Sequence, residues 1–215
     1  MIYLTADLHL GHRSIVTIGE GRPFRSIGEH DRAIIANIND TVSLEDELWI
    51  LGDVTRERGA RTIACAMRRI NCRHVRLVLG NHDREQACLE SGAFESMARY
   101  EDTGVRLADG SWQRLVLFHY PVLDWDGLHR GSVMLHGHIH SRGLAEGEEP
   151  QGPVATEHAH ALHGYNEWCR RQGLCRYDVG VDANGYRPVS LAQVLSSMGI
   201  EGCSAGLSWD PTHWR

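Results

Sequence analysis

Short apolar runs rich in β-branched residues recur along the chain, and a polar cluster follows each of them. The runs cover residues 2–5, 48–51, 75–79, 115–118 and 133–135. Apolar residues at successive positions over this length are typical of strands buried on both faces, as in parallel sheets. We therefore predict that these segments form the central strands of the fold.

Helical spacing of apolar residues occurs between the strands. Residues 29–38 and 59–70 show it, so strand and helix alternate as in a layered α/β domain. Residues 106–112 predict a hairpin with its turn at Asp109-Gly110, which gives the second half more antiparallel character. The remaining expected elements are a surface loop at 143–152 and short helices within 156–172 and at 190–198.

Composition sets the class of protein. The chain has 215 residues, of which 42% are hydrophobic and 23% charged, as expected for one globular α/β domain. We expect this domain over residues 1–198 and a C-terminal tail over 199–215, where the periodicity is lost. The start of the chain lacks the features of a secretion signal, and no CxxC pair occurs among six cysteines. These features predict a cytoplasmic protein with reduced thiols.

Residue types that bind metal ions follow the predicted strands. They stand where the strands end, which is where open α/β sheets usually build their sites. In extended backbone, residues i and i+2 point the same way, so each D-x-H or H-x-H pair is expected to converge. The clusters are Asp7-Leu8-His9, Gly52-Asp53, Gly80-Asn81-His82-Asp83, His119 and Gly137-His138-Ile139-His140.

The number of ligands points to two ions. Seven side chains exceed what one ion can bind together with substrate and water. If Asp53 bridges the two ions, the ligands divide evenly between them. The mixed nitrogen and oxygen donors favour transition metals over calcium or an all-oxygen magnesium site. We expect manganese, with iron, zinc, cobalt and nickel as alternatives. The two expected groups are Asp7, His9, Asp53 and His140 on one ion, and Asp53, Asn81, His119 and His138 on the other.

The ordered motifs D-x-H, G-D, G-N-H-[D/E], H and G-H-x-H resemble those of the calcineurin-like metallophosphoesterase superfamily. The stretches ADLHLGHRSIV and YDVGVDANGYRPVSL are also similar to a compact bacterial and phage branch described as predicted phosphoesterases. The resemblance covers roughly residues 1–196. It implies a four-layer αββα sandwich, two divalent metals bridged by an aspartate, and hydrolysis of phosphoesters by a metal-bridging hydroxide without a covalent intermediate. The family's catalytic histidine, which is not a metal ligand, falls on His82.

The roles of several polar residues near these motifs are less specific. Arg22 suits contact with a substrate phosphate, or an ordinary salt bridge in its loop. His12 contacts substrate, supports a metal ligand or lies on a helix surface, and His136 is expected beside the ligands. Asp182 and Asn184 are expected to fix a turn. His158, His160 and His163 match no ligand of the family.

The sequence indicates the substrate class less directly. Protein phosphatases of the superfamily carry G-D-x-x-D-R-G, whereas residues 52–59 read GDVTRERG and lack the second aspartate. No segment is available to cap the site, so we expect phosphodiesters of the nucleotide or cyclic-nucleotide type. Phosphomonoesters, nuclease action and a non-catalytic scaffold are the alternatives. We expect a small phosphoester as partner and no membrane, and the net charge of −6 disfavours nucleic acid.

Overall fold

The computed structural model describes residues 1–17, 21–152, 162–200 and 208–209. Within them, ten strands form two five-stranded sheets, accompanied by five α-helices. The strands are β1 (Ile2–Thr5), β2 (Glu47–Leu51), β3 (His74–Val78), β4 (Ser96–Ala98), β5 (Tyr100–Arg106), β6 (Trp112–Phe118), β7 (Val133–His136), β8 (Arg176–Asp178), β9 (Val189–Ser190) and β10 (Ser208–Trp209). The helices are α1 (Ile27–Thr41), α2 (Ala60–Met67), α3 (Glu85–Ser91), α4 (Tyr165–Arg171) and α5 (Leu191–Ser197).

Both sheets mix parallel and antiparallel pairs. The first sheet has the order β4-β3-β2-β1-β9, and only β9 runs antiparallel to its neighbour. The second sheet has the order β10-β5-β6-β7-β8, in which the β5–β6 hairpin and the β10–β5 pair are antiparallel. The greater antiparallel character expected for the second half is therefore confirmed.

The two sheets pack face to face, with α1 to α4 outside them and α5 packed against the apolar cluster that the sheets share. Leu4 of β1, Leu51 of β2 and Leu117 of β6 meet between the sheets in one fully buried apolar cluster. On the other face of the first sheet, α1, α2 and α3 bury Ile34, Ile63 and other apolar side chains. The outer side of the second sheet is covered by α4 and by a loop that carries Trp125. The expected four-layer αββα sandwich is confirmed.

Hydrogen bonds at helix starts explain where two helices begin. The Ser26 side chain accepts from the Glu29 backbone N–H at the start of α1. Ser190 forms a reciprocal capping box with Gln193 at the start of α5, as expected for a helix at 190–198. The helix expected within 156–172 is shorter in the structure and comprises α4, while residues 153–161 lie outside the described residues.

The end of the chain and the thiols complete the fold. Of the expected tail, residues 199–200 and β10 are described, and β10 adds an edge strand to the second sheet, so the division at residue 198 stays a prediction. The five described cysteines are free thiols, and Cys203 lies outside the described residues. No helix among the described residues combines the length and apolar character needed to cross a bilayer.

Candidate metal centre

The loops that follow the central strands carry an unusual backbone conformation. Five residues with a Cβ atom have positive φ there, although left-handed backbone is uncommon for such residues and concentrates at functional sites. The residues and angles are Asp7 (58°), His9 (49°), Asp53 (57°), His138 (74°) and His140 (48°). The expectation that D-x-H and H-x-H converge as extended pairs is therefore wrong. The side chains converge because the chain turns sharply at each strand end.

Asp7, His9 and His140 form the first group of donor atoms. His9 Nε2 lies 3.9 Å from Asp7 Oδ1 and 3.2 Å from His140 Nε2, and His140 Nε2 lies 3.8 Å from Asp7 Oδ1. Asp7 is fully buried, and its Oδ2 accepts the His138 backbone N–H at 2.9 Å. Its Oδ1 is buried without a hydrogen-bond partner. A buried carboxylate oxygen in this state, facing two imidazole nitrogens, has the arrangement expected of a metal ligand.

Asp53 joins this first group to a second one. Its Oδ2 lies 3.6 Å from His9 Nε2 and 3.5 Å from His119 Nε2. His119 Nε2 in turn lies 3.0 Å from Asn81 Oδ1. This packing produces three overlapping sets of carboxylate and imidazole donors. Within each set, the donor atoms lie within 4.8 Å of one another. These sets are Asp7 with His9 and His140, His9 with Asp53 and His82, and Asp7 with Asp53 and His119.

His138 completes the set of seven expected ligands. Its ring lies 5.0 Å from the His119 ring and 4.5 Å from that of Tyr120, and it borders the same cavity as His9 and Asp53. Burial, reinforced by the neighbouring His119, lowers the pKa of His138 to about 4. A neutral imidazole is the form that binds a metal ion. The structure thus brings all seven predicted ligands together at one edge of the two sheets.

Hydrogen bonds behind the site orient two of the imidazoles. His119 Nδ1 donates to the Leu51 carbonyl oxygen at 2.8 Å, and His140 Nδ1 lies 2.8 Å from Asp182 Oδ2. Both contacts fix the ring so that Nε2 faces the site, the usual arrangement around metal-binding histidines. Asp83 has a similar supporting position, because its carboxylate accepts the backbone N–H groups of Asp53, Val54 and Gly80.

Arg22 is buried next to these ligands. It is 4% exposed, and its guanidinium binds both Asp182 oxygens at 2.9 and 2.7 Å. The same guanidinium donates to the Asp7 and Leu8 carbonyl oxygens at 2.7 and 3.2 Å. Arg22 therefore holds the backbone of the D-x-H turn, and its contact with substrate stays a prediction. The sequence interpretation missed the site role of Asp182, whereas Asn184 fixes its turn by donating to the Gly180 carbonyl oxygen at 2.8 Å.

A cavity of about 290 Å³ opens over the site. His12 borders it, with its Nδ1 3.2 Å from His9 Nδ1 and its Nε2 2.8 Å from an Arg56 nitrogen, so His12 is placed to meet a ligand there. His136 is buried beside the ligands, as expected, and its Nδ1 donates to the Gly137 carbonyl oxygen. His163 pairs with Glu148 away from the site. His158 and His160 lie outside the described residues.

Two features of the site suit divalent metal ions. One is the set of donor atoms, and the other is the presence of glycine where a larger residue would collide with a ligand side chain. A Cβ atom on Gly52, which has φ of +92°, would lie 2.3 Å from His119 Nδ1. A Cβ atom on Gly137 would lie 2.4 Å from Asp7 Oδ2. Glycine at both positions lets backbone and ligand approach closely. Together with the unpartnered Asp7 Oδ1, this cradle of carboxylate, amide and imidazole donors suits transition-metal ions.

Comparison with known proteins agrees with this geometry. Residues 1–183 match the family model described as calcineurin-like phosphoesterase. The chain is 30% identical over 162 residues to the gene 66 protein of Mycobacterium phage D29, covering 66% of this chain and 79% of that protein. It is 27% identical over 162 residues to the gene 66 protein of Mycobacterium phage L5, covering 65% and 77%. A solved protein of unknown function from Aquifex aeolicus shares the fold, with a TM-score of 0.62, 20% identity and coverage of 91% and 98%.

Proposed function

The chain belongs to the calcineurin-like phosphoesterase family, and from this premise we propose that it hydrolyses phosphodiesters with two divalent metal ions. The observation that carries the proposal is the position of Asp53. Its Oδ2 lies between His9 Nε2 and His119 Nε2, at 3.6 and 3.5 Å, and the residue is buried. A carboxylate shared by two donor groups suits two neighbouring ions.

The two proposed ions would be held by groups that share this carboxylate. Manganese is the first choice for both, because the donors mix nitrogen and oxygen. The groups are Asp7, His9, Asp53 and His140 for one ion, and Asp53, Asn81, His119 and His138 for the other. When bound, such ions polarise the phosphoryl oxygens and lower the pKa of a coordinated water.

The protein's own residues would orient the reacting groups and move a proton. The hydrogen bonds from His119 to Leu51 and from His140 to Asp182 keep the ligand rings in place. His82 borders the cavity with a partly exposed side chain, and its backbone N–H donates to Asp53 Oδ1 at 2.8 Å. We assign its Nε2 as the donor of the proton that the leaving oxygen takes up.

Preference for diesters is supported by the space around the site. The cavity over the ligands and a wider groove of about 660 Å³ share Asn81 and His82 as lining residues. A phosphate at the ligands can therefore carry substituents on two sides, one toward each space.

A cytoplasmic location also stays a prediction, supported by the free thiols.

Hydrolysis of two matched esters tests the function. The manganese-loaded protein should cleave bis-p-nitrophenyl phosphate faster than p-nitrophenyl phosphate, and a chelator should abolish both activities. Asp53→Asn serves as the inactive control, because it removes the shared charge. Monoester turnover tenfold above diester turnover would contradict the diester preference, and turnover that persists in Asp53→Asn would show a contaminating enzyme.

A further inference from the structure

A groove with three arginines adjoins the proposed metal centre. Arg56 and Arg58 lie on the loop that follows β2, and Arg84 directly precedes α3. All three side chains line the groove of about 660 Å³ that also contacts Asn81 and His82. These arginines therefore occupy the same two loops that carry Asp53 and Asn81.

Each of the three acidic residues of the groove has a partner other than these arginines. The carboxylate of Asp83 accepts three backbone N–H groups, and Glu85 pairs with Arg99 outside the groove lining. Glu90 accepts a hydrogen bond from Gln86 at 2.7 Å. Across the described residues, neither Arg58 nor Arg84 has a side-chain hydrogen bond or an ion pair with an acidic group, and both are exposed.

Arg56 connects this groove to the cavity above the ligands. Its guanidinium lies 2.8 Å from His12 Nε2, and the His12 ring lies 5.6 Å from the His82 ring. Positive charge thus continues from the edge of the metal centre into the groove. This arrangement is notable in a chain with a net charge of −6, since no general excess of basic residues accounts for it.

We propose that the groove binds a second phosphate of the substrate, next to the ester that is cleaved. This inference rests on the proposed function and specifies its substrate class as compounds with at least two phosphates. Exposed guanidinium groups bind phosphate through paired, charge-assisted hydrogen bonds. The second phosphate either lies across a sugar, as in a dinucleotide, or is joined directly, as in a pyrophosphate.

Three chromogenic substrates test the proposal and distinguish the two linkages. The reference is the p-nitrophenyl ester of thymidine 5′-phosphate. The second substrate is the same ester with a 3′-phosphate, and the third is the p-nitrophenyl ester of thymidine 5′-diphosphate. We expect kcat/KM for at least one bisphosphate to exceed the reference value by about tenfold at low salt. The bisphosphate substrate with the higher kcat/KM identifies the linkage. The ratio of its kcat/KM to the reference value should decrease as salt screens the exposed charges.

Two double variants, each of which removes two positive charges, distinguish an effect of the groove from a general effect of lost charge. The double variant Arg58→Gln with Arg84→Gln should bring the ratio of kcat/KM, bisphosphate over reference ester, close to one. The matched control, Arg68→Gln with Arg69→Gln, changes exposed arginines beyond the far end of α2 and should keep the wild-type ratio. A wild-type ratio near one, or an unchanged ratio in the groove variant, would overturn the proposal.

A binding measurement keeps this result separate from the catalytic proposal. Calorimetry should show thymidine 3′,5′-bisphosphate or thymidine 5′-diphosphate binding about tenfold more tightly than thymidine 5′-phosphate, and the groove variant should lose the difference. Absence of metal-dependent turnover with this binding preference intact would contradict the proposed function alone. Equal binding of all three nucleotides would contradict the groove assignment, whatever the turnover.

Discussion

Replacement of Asp7 or Asp182 by asparagine should change the stability of the metal-free protein in opposite directions. Both carboxylates are buried within the candidate metal centre. Asp7 contacts histidines and backbone, with one oxygen lacking a hydrogen-bond partner, whereas Asp182 is paired with the Arg22 guanidinium. Both substitutions replace aspartate with asparagine, so a difference between their effects on stability reports on the surroundings of each carboxylate.

For Asp7, burial raises the pKa from 3.8 to about 6, although His140 and His119 oppose the shift. A carboxyl group with a raised pKa contributes stability below its unfolded value, and that contribution is lost as the pH rises through about 6. A shift of roughly two units corresponds to about 3 kcal/mol at higher pH. Asp7→Asn removes the buried charge, so it should stabilise the metal-free protein by up to that amount at pH 8.

For Asp182, burial alone would raise the pKa, but the Arg22 charge and the hydrogen bond with His140 outweigh it and lower the pKa. A carboxyl group with a lowered pKa contributes stability above its unfolded value, and that contribution is lost as the pH falls through the folded value. Asp182→Asn leaves Arg22 buried without its counter-charge. The expected cost at pH 8 is on the order of 3 kcal/mol.

Urea unfolding of chelator-treated protein at pH 5 and pH 8 measures both effects. The advantage of Asp7→Asn over wild type should grow from pH 5 to pH 8, while Asp182→Asn should remain less stable than wild type at both. If Asp7→Asn is less stable than wild type at pH 8, the unpartnered carboxylate is not a source of instability, and the reasoning from burial is refuted.

Three further predictions address individual parts of the site. His82→Ala should lower kcat by about 10²- to 10⁴-fold while elemental analysis still finds the wild-type metal content, and a lost ion would contradict its role as proton donor. Gly52→Ala should lower the free energy of unfolding by about 2 kcal/mol or more in urea denaturation, because its Cβ would lie 2.3 Å from His119 Nδ1; an unchanged value would contradict this. Asp182→Asn should weaken metal binding by about 10- to 100-fold in calorimetric titration, through His140, and unchanged affinity would exclude this orienting role.

The strands and the set of candidate ligands could be predicted because their signals are local. A short apolar run rich in β-branched residues and followed by Asp, Asn or His indicates a strand end from a few consecutive residues. The backbone geometry expected from the sequence is wrong, because Asp7 and His138 adopt left-handed conformations where an extended chain is predicted. Such turns depend on the tertiary contacts that hold them, such as the hydrogen bond from the His138 N–H to Asp7 Oδ2.

The role of Asp182 could not be predicted from its own segment. Its partner Arg22 is 160 residues away in the chain, and nothing in the local pattern of either residue identifies the other. The groove arginines Arg58 and Arg84 present the same difficulty, since each resembles an ordinary exposed arginine until the fold places both beside His82. Pairings of this kind are properties of the packed structure.

The number of bound ions tests the central proposal most directly. Elemental analysis after manganese loading and removal of excess metal should find two ions per chain in the wild-type protein. Asp53→Asn should lower the content at both positions together, because its carboxylate lies between His9 and His119. A wild-type content of no more than one ion per chain, under loading that saturates binding, would contradict the two-ion centre.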